Sequence, residues 1–101
     1  MKFKELRRYI SRIDRIHMLM EETLEYKNYR FISEVPESYD DYYVYGIGMR
    51  ETEFPIKYAI DAAIAQGLDI DKVDREKTIY ANALEIMLSE TERDFEAEEE
   101  Q

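Results

Sequence analysis

The chain carries a single imidazole, His17, and no cysteine. As the side chain whose ordinary pKa lies nearest neutrality, His17 is the first candidate for general acid or base chemistry. Asp14 stands three residues before it. On a helix that spacing lets the carboxylate reach the ring, whereas on a strand the two side chains point to opposite faces. A nucleophile to work with the ring would come from Ser11, Ser33, Ser38, Ser89 or a threonine, none of which sits in a glycine-flanked elbow. A half-buried structural histidine is the simpler expectation, and no catalytic residue is assigned.

Carboxylates are the next candidates, as metal ligands. Asp69-Ile-Asp71-Lys-Val-Asp74 opens like a calcium loop, but the sixth position is Asp74 where a glycine must turn the chain, and the twelfth is Tyr80 where a bidentate glutamate is required. Glu21, Glu22 and Glu25 would place two carboxylates on one helical face for magnesium, without a phosphate-binding loop to accompany them. A glycosidase pair is allowed by residue type, yet 101 residues leave little room for a sugar cleft beside a core. Gly46-Ile-Gly48 begins like a dinucleotide fingerprint, but Glu51 replaces its third glycine and would repel a pyrophosphate. The sequence therefore implies no metal and no cofactor.

Most informative is Asp40-Asp41-Tyr42-Tyr43-Val44-Tyr45, with Glu37, Glu51 and Glu53 close by in sequence. Tyrosine is amphipathic and enriched in interfaces, and carboxylates accept paired hydrogen bonds from arginine. Together they can imitate the phosphates and base faces that a nucleic-acid-binding protein expects. The competing expectation is that the tyrosines pack as cross-strand pairs in an ordinary sheet while the acids keep the protein soluble.

Composition narrows the partner. A formal charge of −10 opposes direct binding to a phosphate backbone, where cations supply most of the affinity, and favours a basic partner. The charge is uneven: residues 1–30 hold eight basic side chains against five acidic ones, and the remainder six against nineteen. If both parts fold together, the basic segment can neutralise acids of its own chain. Lack of cysteine removes disulfides, thiol nucleophiles and thiolate metal sites. No apolar stretch of signal-peptide or membrane-spanning length appears, so the expected location is the cytoplasm and no membrane is involved.

The length suits one compact domain, placed at residues 1–89, with 90–101 as an acidic, frayed tail. Residues 1–24 allow two arrangements. As one long helix, Phe3, Leu6, Ile10, Ile13, His17, Met20 and Leu24 form an apolar seam that would suit a homodimer. Against it, the bases lie at the start and Glu21, Glu22 and Glu25 at the end, opposite to what the helix dipole favours. The alternative, which we favour, is a short helix over Phe3 to Ile10 and a strand over Asp14 to Glu21. Tyr29 to Val35 and Tyr42 to Met49 read as two strands joined by a 36–41 loop. Pro55 to Gln66 reads as a helix with an apolar stripe of Ile56, Ala59, Ile60, Ala63 and Ile64, stopped by Gly67 and Leu68. Thr78 to Leu88 mixes helix formers with strand alternation and is assigned helix, then strand. The fold expected is α+β: an antiparallel sheet of about four strands with an N-terminal helix and one or two further helices packed on it.

Met1-Lys-Phe-Lys-Glu-Leu-Arg-Arg-Tyr-Ile10, followed by Ile13-Asp-Arg-Ile-His-Met-Leu-Met20, resembles the opening of small acidic proteins encoded on phages and conjugative elements of Gram-positive bacteria. Tyr39-Asp-Asp-Tyr-Tyr-Val-Tyr-Gly-Ile-Gly48 and Ala83-Leu-Glu-Ile-Met-Leu-Ser89 are similar in flavour. The resemblance implies an anti-CRISPR-like role. The leading expectation is thus a non-enzymatic inhibitor or adaptor that docks Glu37, Asp40, Asp41, Tyr42, Tyr43, Tyr45, Glu51 and Glu53 onto a basic protein, such as a nucleic-acid-binding nuclease. The alternatives are a carboxylate-metal hydrolase around Glu21, Glu22 and Glu25 or Asp69, Asp71 and Asp74, and a self-associating structural protein.

Overall fold

A computed structural model describes residues 1–10 and 14–92. It is α+β: one four-stranded sheet with a short N-terminal helix and a second short helix. The helix α1 (Phe3–Arg7) is followed by β1 (Asp14–Met20), β2 (Tyr26–Phe31), β3 (Tyr43–Pro55), α2 (Ile60–Ala65) and β4 (Thr78–Ser89). Single 3-10 turns lie at Ile32–Glu34, Glu37–Tyr39 and Ile56–Tyr58. The strand order is β2-β1-β4-β3. The sheet is mixed rather than wholly antiparallel, because β1 and β4 run parallel, with Ile16 beside Leu84 and Met20 beside Leu88.

The strand alternative for residues 14–20 holds, so the long helix and its dimer seam do not form there. Ile16 and Met18 are buried on one face of β1, as alternation dictates, while His17 faces the other way. Residues 11–13, where helix and strand join, lie outside the described residues, as does most of the proposed tail (93–101).

Several boundaries differ from expectation: α1 ends at Arg7 rather than Ile10, because residues 8–10 turn away, and β2 already begins at Tyr26. β2 ends at Phe31 and does not pair with β3; the two occupy opposite edges of the sheet. Between them, Ile32 and Val35 leave the strand and bury their side chains, and two 3-10 turns carry the chain past α1 to the far edge. The expected helix from Pro55 is shorter, because β3 runs on to Pro55 and one 3-10 turn precedes α2. Its stop is as read: Gly67 takes φ 84°, and the N–H groups of Leu68 and Gly67 donate to the carbonyls of Ala63 and Ile64 at 3.0 Å each. Ile64, however, is exposed, since only Ala59 and Ala63 of that stripe lie flat on the sheet beside Ile56. Finally, Thr78 to Leu88 is strand throughout.

β4 accounts for most of the packing. Ile79, Ala81 and Ala83 are buried on one face with Phe54, Ile56, Ala59 and Ala63. Ile86 and Leu88 are buried on the other with Phe3, Leu6, Ile10, Ile16, Met18, Ile32, Val35 and Val44. The buried side of β4 switches between Ala83 and Leu84, so two cores lie on opposite faces of one sheet. The alanines admit α2 closely. A bulge between Val44 and Gly46 resets β3 against β4. Gly46 then lies opposite Met87, whose thioether occupies the space a Cβ would take.

Candidate functional site

The docking surface read from sequence is divided by the fold. Asp40, three-quarters buried, pairs with Arg7 at 2.8 Å. Asp41, exposed, has the ammonium groups of Lys2 and Lys4 at 4.0 and 3.9 Å. Tyr42 packs against the α1 core, Tyr43 lies under the Lys2 ammonium at 5.7 Å, and Tyr45 is half-buried beside the bulge. Glu37 is exposed at the head of its 3-10 turn. The basic residues of α1 therefore face acids of their own chain. Glu51 and Glu53 stand apart: eight and ten strand positions from Tyr43 put them about 26 and 33 Å away along β3.

Around those two glutamates the structure forms a cleft of about 470 Å³, lined by His17, Tyr26, Asn28, Arg50, Glu51, Thr52, Glu53, Thr78 and Tyr80. Register creates it. β1 sets His17 directly opposite Asn28 of β2 and next to Glu85 of β4. The long β3 curls until its backbone meets Asn28, although the two strands are at opposite edges: Asn28 Nδ2 donates to Thr52 Oγ1 at 3.2 Å and to the Glu53 carbonyl at 3.0 Å.

Those bonds fix the tautomer of the neutral ring. A carbonyl oxygen only accepts, so the atom facing Glu53 is the amide nitrogen and Asn28 Oδ1 faces the imidazole. His17 Nδ1, 2.7 Å from Oδ1, must therefore carry a hydrogen. In the neutral ring Nε2 is then an acceptor. It is buried, with no hydrogen-bond partner among the described residues, and Glu85 Oε2 is 3.8 Å away. The same oxygen accepts from Arg50 Nη1 at 3.1 Å. The Tyr26 ring covers the imidazole with centroids 4.8 Å apart. His17 is thus buried outright (2% exposed) rather than half-buried.

At the rim, Glu51 and Glu53 are exposed, and among the described residues neither is ion-paired with a lysine or arginine. Glu53 instead accepts from Tyr80, and its charge holds that phenol above its ordinary value. Ile47, Met49, Glu51 and Glu53 alternate along β3 as four exposed positions of one face, with Tyr80 opposite Glu53.

Three of the six carboxylates weighed for metal chemistry accept hydrogen bonds within the chain. Glu22 accepts from the Ser89 hydroxyl at 2.6 Å, which holds its carboxyl below the usual range. Asp69 and Asp74 accept from backbone N–H groups two residues on, at 3.1 and 3.0 Å. Among the described residues no three His, Asp or Glu side chains converge as a metal site. No helix among them is long and apolar enough to cross a membrane.

Sequence reasoning singled out His17, Glu51 and Glu53 but missed Asn28, Glu85, Arg50, Tyr26 and Tyr80. One signal was present: Glu85 is the lone acid between Leu84 and Ile86 in an apolar run. No family model, curated protein or solved structure matches the chain.

Proposed function

We propose that this protein is a non-enzymatic binding protein that docks an acidic, tyrosine-flanked face onto a basic, nucleic-acid-binding protein and occupies the place of its nucleic acid. The observation that carries this is the exposed row Ile47, Met49, Glu51 and Glu53 with Tyr80 beside it. It joins apolar centre to acidic rim, the composition of a protein interface. Two carboxylates without a lysine or arginine partner among the described residues are available to a basic partner, whereas Asp40 is paired with Arg7 and Asp41 lies near Lys2 and Lys4. The docking face is accordingly centred on the distal half of β3.

The test is capture of partner from host lysate at low and physiological salt, with heparin as competitor. Wild type retains a basic protein whose yield falls with salt and heparin. Glu51→Lys with Glu53→Lys abolishes retention, and Asp41→Lys leaves most of it. Retention that survives the double reversal, or no retention at either salt, overturns the proposal.

A further inference from the structure

The geometry points to the His17 cleft as a socket for one lysine ammonium of the basic partner, an inference that rests on the docking function and deepens it. His17 Nε2 and Glu85 Oε2 are two acceptors 3.8 Å apart. In the neutral ring, whose hydrogen Asn28 holds on Nδ1, no hydrogen lies between them. A group with two hydrogens, placed about 2.8 Å from each atom, satisfies both.

An ammonium is the compact group that does so. It carries three donors on one nitrogen, and the third would turn toward the rim. There Glu51 and Glu53 add negative charge, and Tyr26 and Tyr80 offer ring faces that attract a cation. With Arg50 paired to Glu85, the two lining glutamates leave the cleft net negative. An arginine side chain fits less well, as Arg50 illustrates: it reaches Glu85 from the mouth with its side chain 55% exposed, and leaves Nε2 unpartnered.

Arg50 is in this view a stand-in. Its guanidinium end lies exposed, where an incoming lysine can compete with it for Glu85. The two ends of one ion pair should therefore act in opposite directions on binding: removing Glu85's charge weakens it, and removing Arg50 strengthens it. A purely structural ion pair predicts neither.

The test uses the full chain, 15N-labelled, titrated with Nα-acetyl-lysine-N-methylamide while the His17 ring nitrogens are followed at neutral pH. The Nε2 resonance moves saturably. Glu85→Gln weakens binding about tenfold or more, the loss expected for a charge-assisted hydrogen bond, and Arg50→Ala tightens it several-fold. Should Glu85→Gln not fold, exposed Glu53→Gln serves and weakens binding in the same direction. The arginine and norleucine analogues bind at least about tenfold more weakly. No saturable movement of Nε2, arginine binding as tightly as lysine, or affinity indifferent to both substitutions overturns the socket. The probe needs no partner, so the two failures separate. Probe failure with salt-sensitive capture intact removes the socket and keeps the docking face. Probe binding without any capture removes the partner and with it the occupant assigned here.

Discussion

Arg7 Nη2 stands 2.8 Å from Asp40 Oδ1, and the same guanidinium donates to the carbonyls of Ile32, Val35 and Pro36 at 3.3, 3.0 and 3.0 Å. One side chain of α1 thus closes the irregular stretch between β2 and β3, whose backbone groups have no sheet to bond to. Truncating Arg7→Ala leaves the part-buried Asp40 carboxylate and the Val35 carbonyl without this donor, while the carbonyls of Ile32 and Pro36 keep the N–H groups of Val35 and Tyr39. We expect a loss of about 3 kcal/mol in urea unfolding at unchanged m-value. Arg7→Lys keeps the charge but not the planar fork and recovers less than half. A loss under 1 kcal/mol for Arg7→Ala, about the worth of an exposed pair, would show that this stretch holds itself.

Asn28 joins the two edges of the sheet through one carboxamide. Asn28→Asp still accepts from His17 Nδ1 but sets a carboxylate oxygen against the Glu53 carbonyl, in a cleft that Glu51 also lines. The expected cost at neutral pH is about 2 kcal/mol by denaturant unfolding, with the Nδ1–H tautomer retained in the imidazole 15N spectrum. A spectrum switched to Nε2–H would contradict the tautomer deduced from the bond to Glu53.

The Tyr29 phenol, half-buried and hydrogen-bonded with Tyr39, is raised well above its ordinary value of 10.0, desolvation being the larger cause. Below that value both folded and unfolded chains keep the proton, and stability is unaffected. As pH rises past it, the unfolded chain releases the proton while the folded chain does not, so stability falls. Unfolding free energy should decline from about pH 10 upward. Tyr29→Phe should flatten that decline while lowering stability at pH 7 by about 1 kcal/mol for the lost hydrogen bond.

Leu24 adopts φ 59° in the turn between β1 and β2, with its side chain exposed. A branched apolar residue is strained there and buries nothing in return. Leu24→Asn, which tolerates the left-handed region, should raise stability by about 0.5–1 kcal/mol in thermal or urea unfolding. No gain would mean that the turn relaxes around asparagine without relief.

Legibility in the sequence followed the range of the physics involved. The α1 segment, the alternation of Ile16, Met18 and Met20, and the Gly67 stop rest on neighbours a few residues apart, and they were readable. Thr78 to Leu88 was not, because its buried positions run 79, 81, 83 and then 86, 88. That break mimics a change of element, and it arises from two cores on opposite faces of one continuous strand. The 36–41 connection misled for a related reason: β-rich texture on both sides predicts two strands joined by a loop, but Ile32 and Val35 are buried with Phe3 and Leu6 of α1 and the strands lie at opposite edges.

The site divides in the same way. Charge, size, the lone histidine and the acidic, tyrosine-rich character were determined by composition, which needs no coordinates. Which acids stay available was decided by tertiary structure alone, since the N-terminal segment reaches Asp40 and Asp41 across more than thirty residues of chain and leaves Glu51 and Glu53 without a lysine or arginine among the described residues. The environment of His17 likewise depends on register: Asn28 from β2, Glu85 from β4 and Arg50 from β3 meet it only because three strand pairings fall in step. A one-residue slip in any of them would turn a side chain to the opposite face and dissolve the cleft.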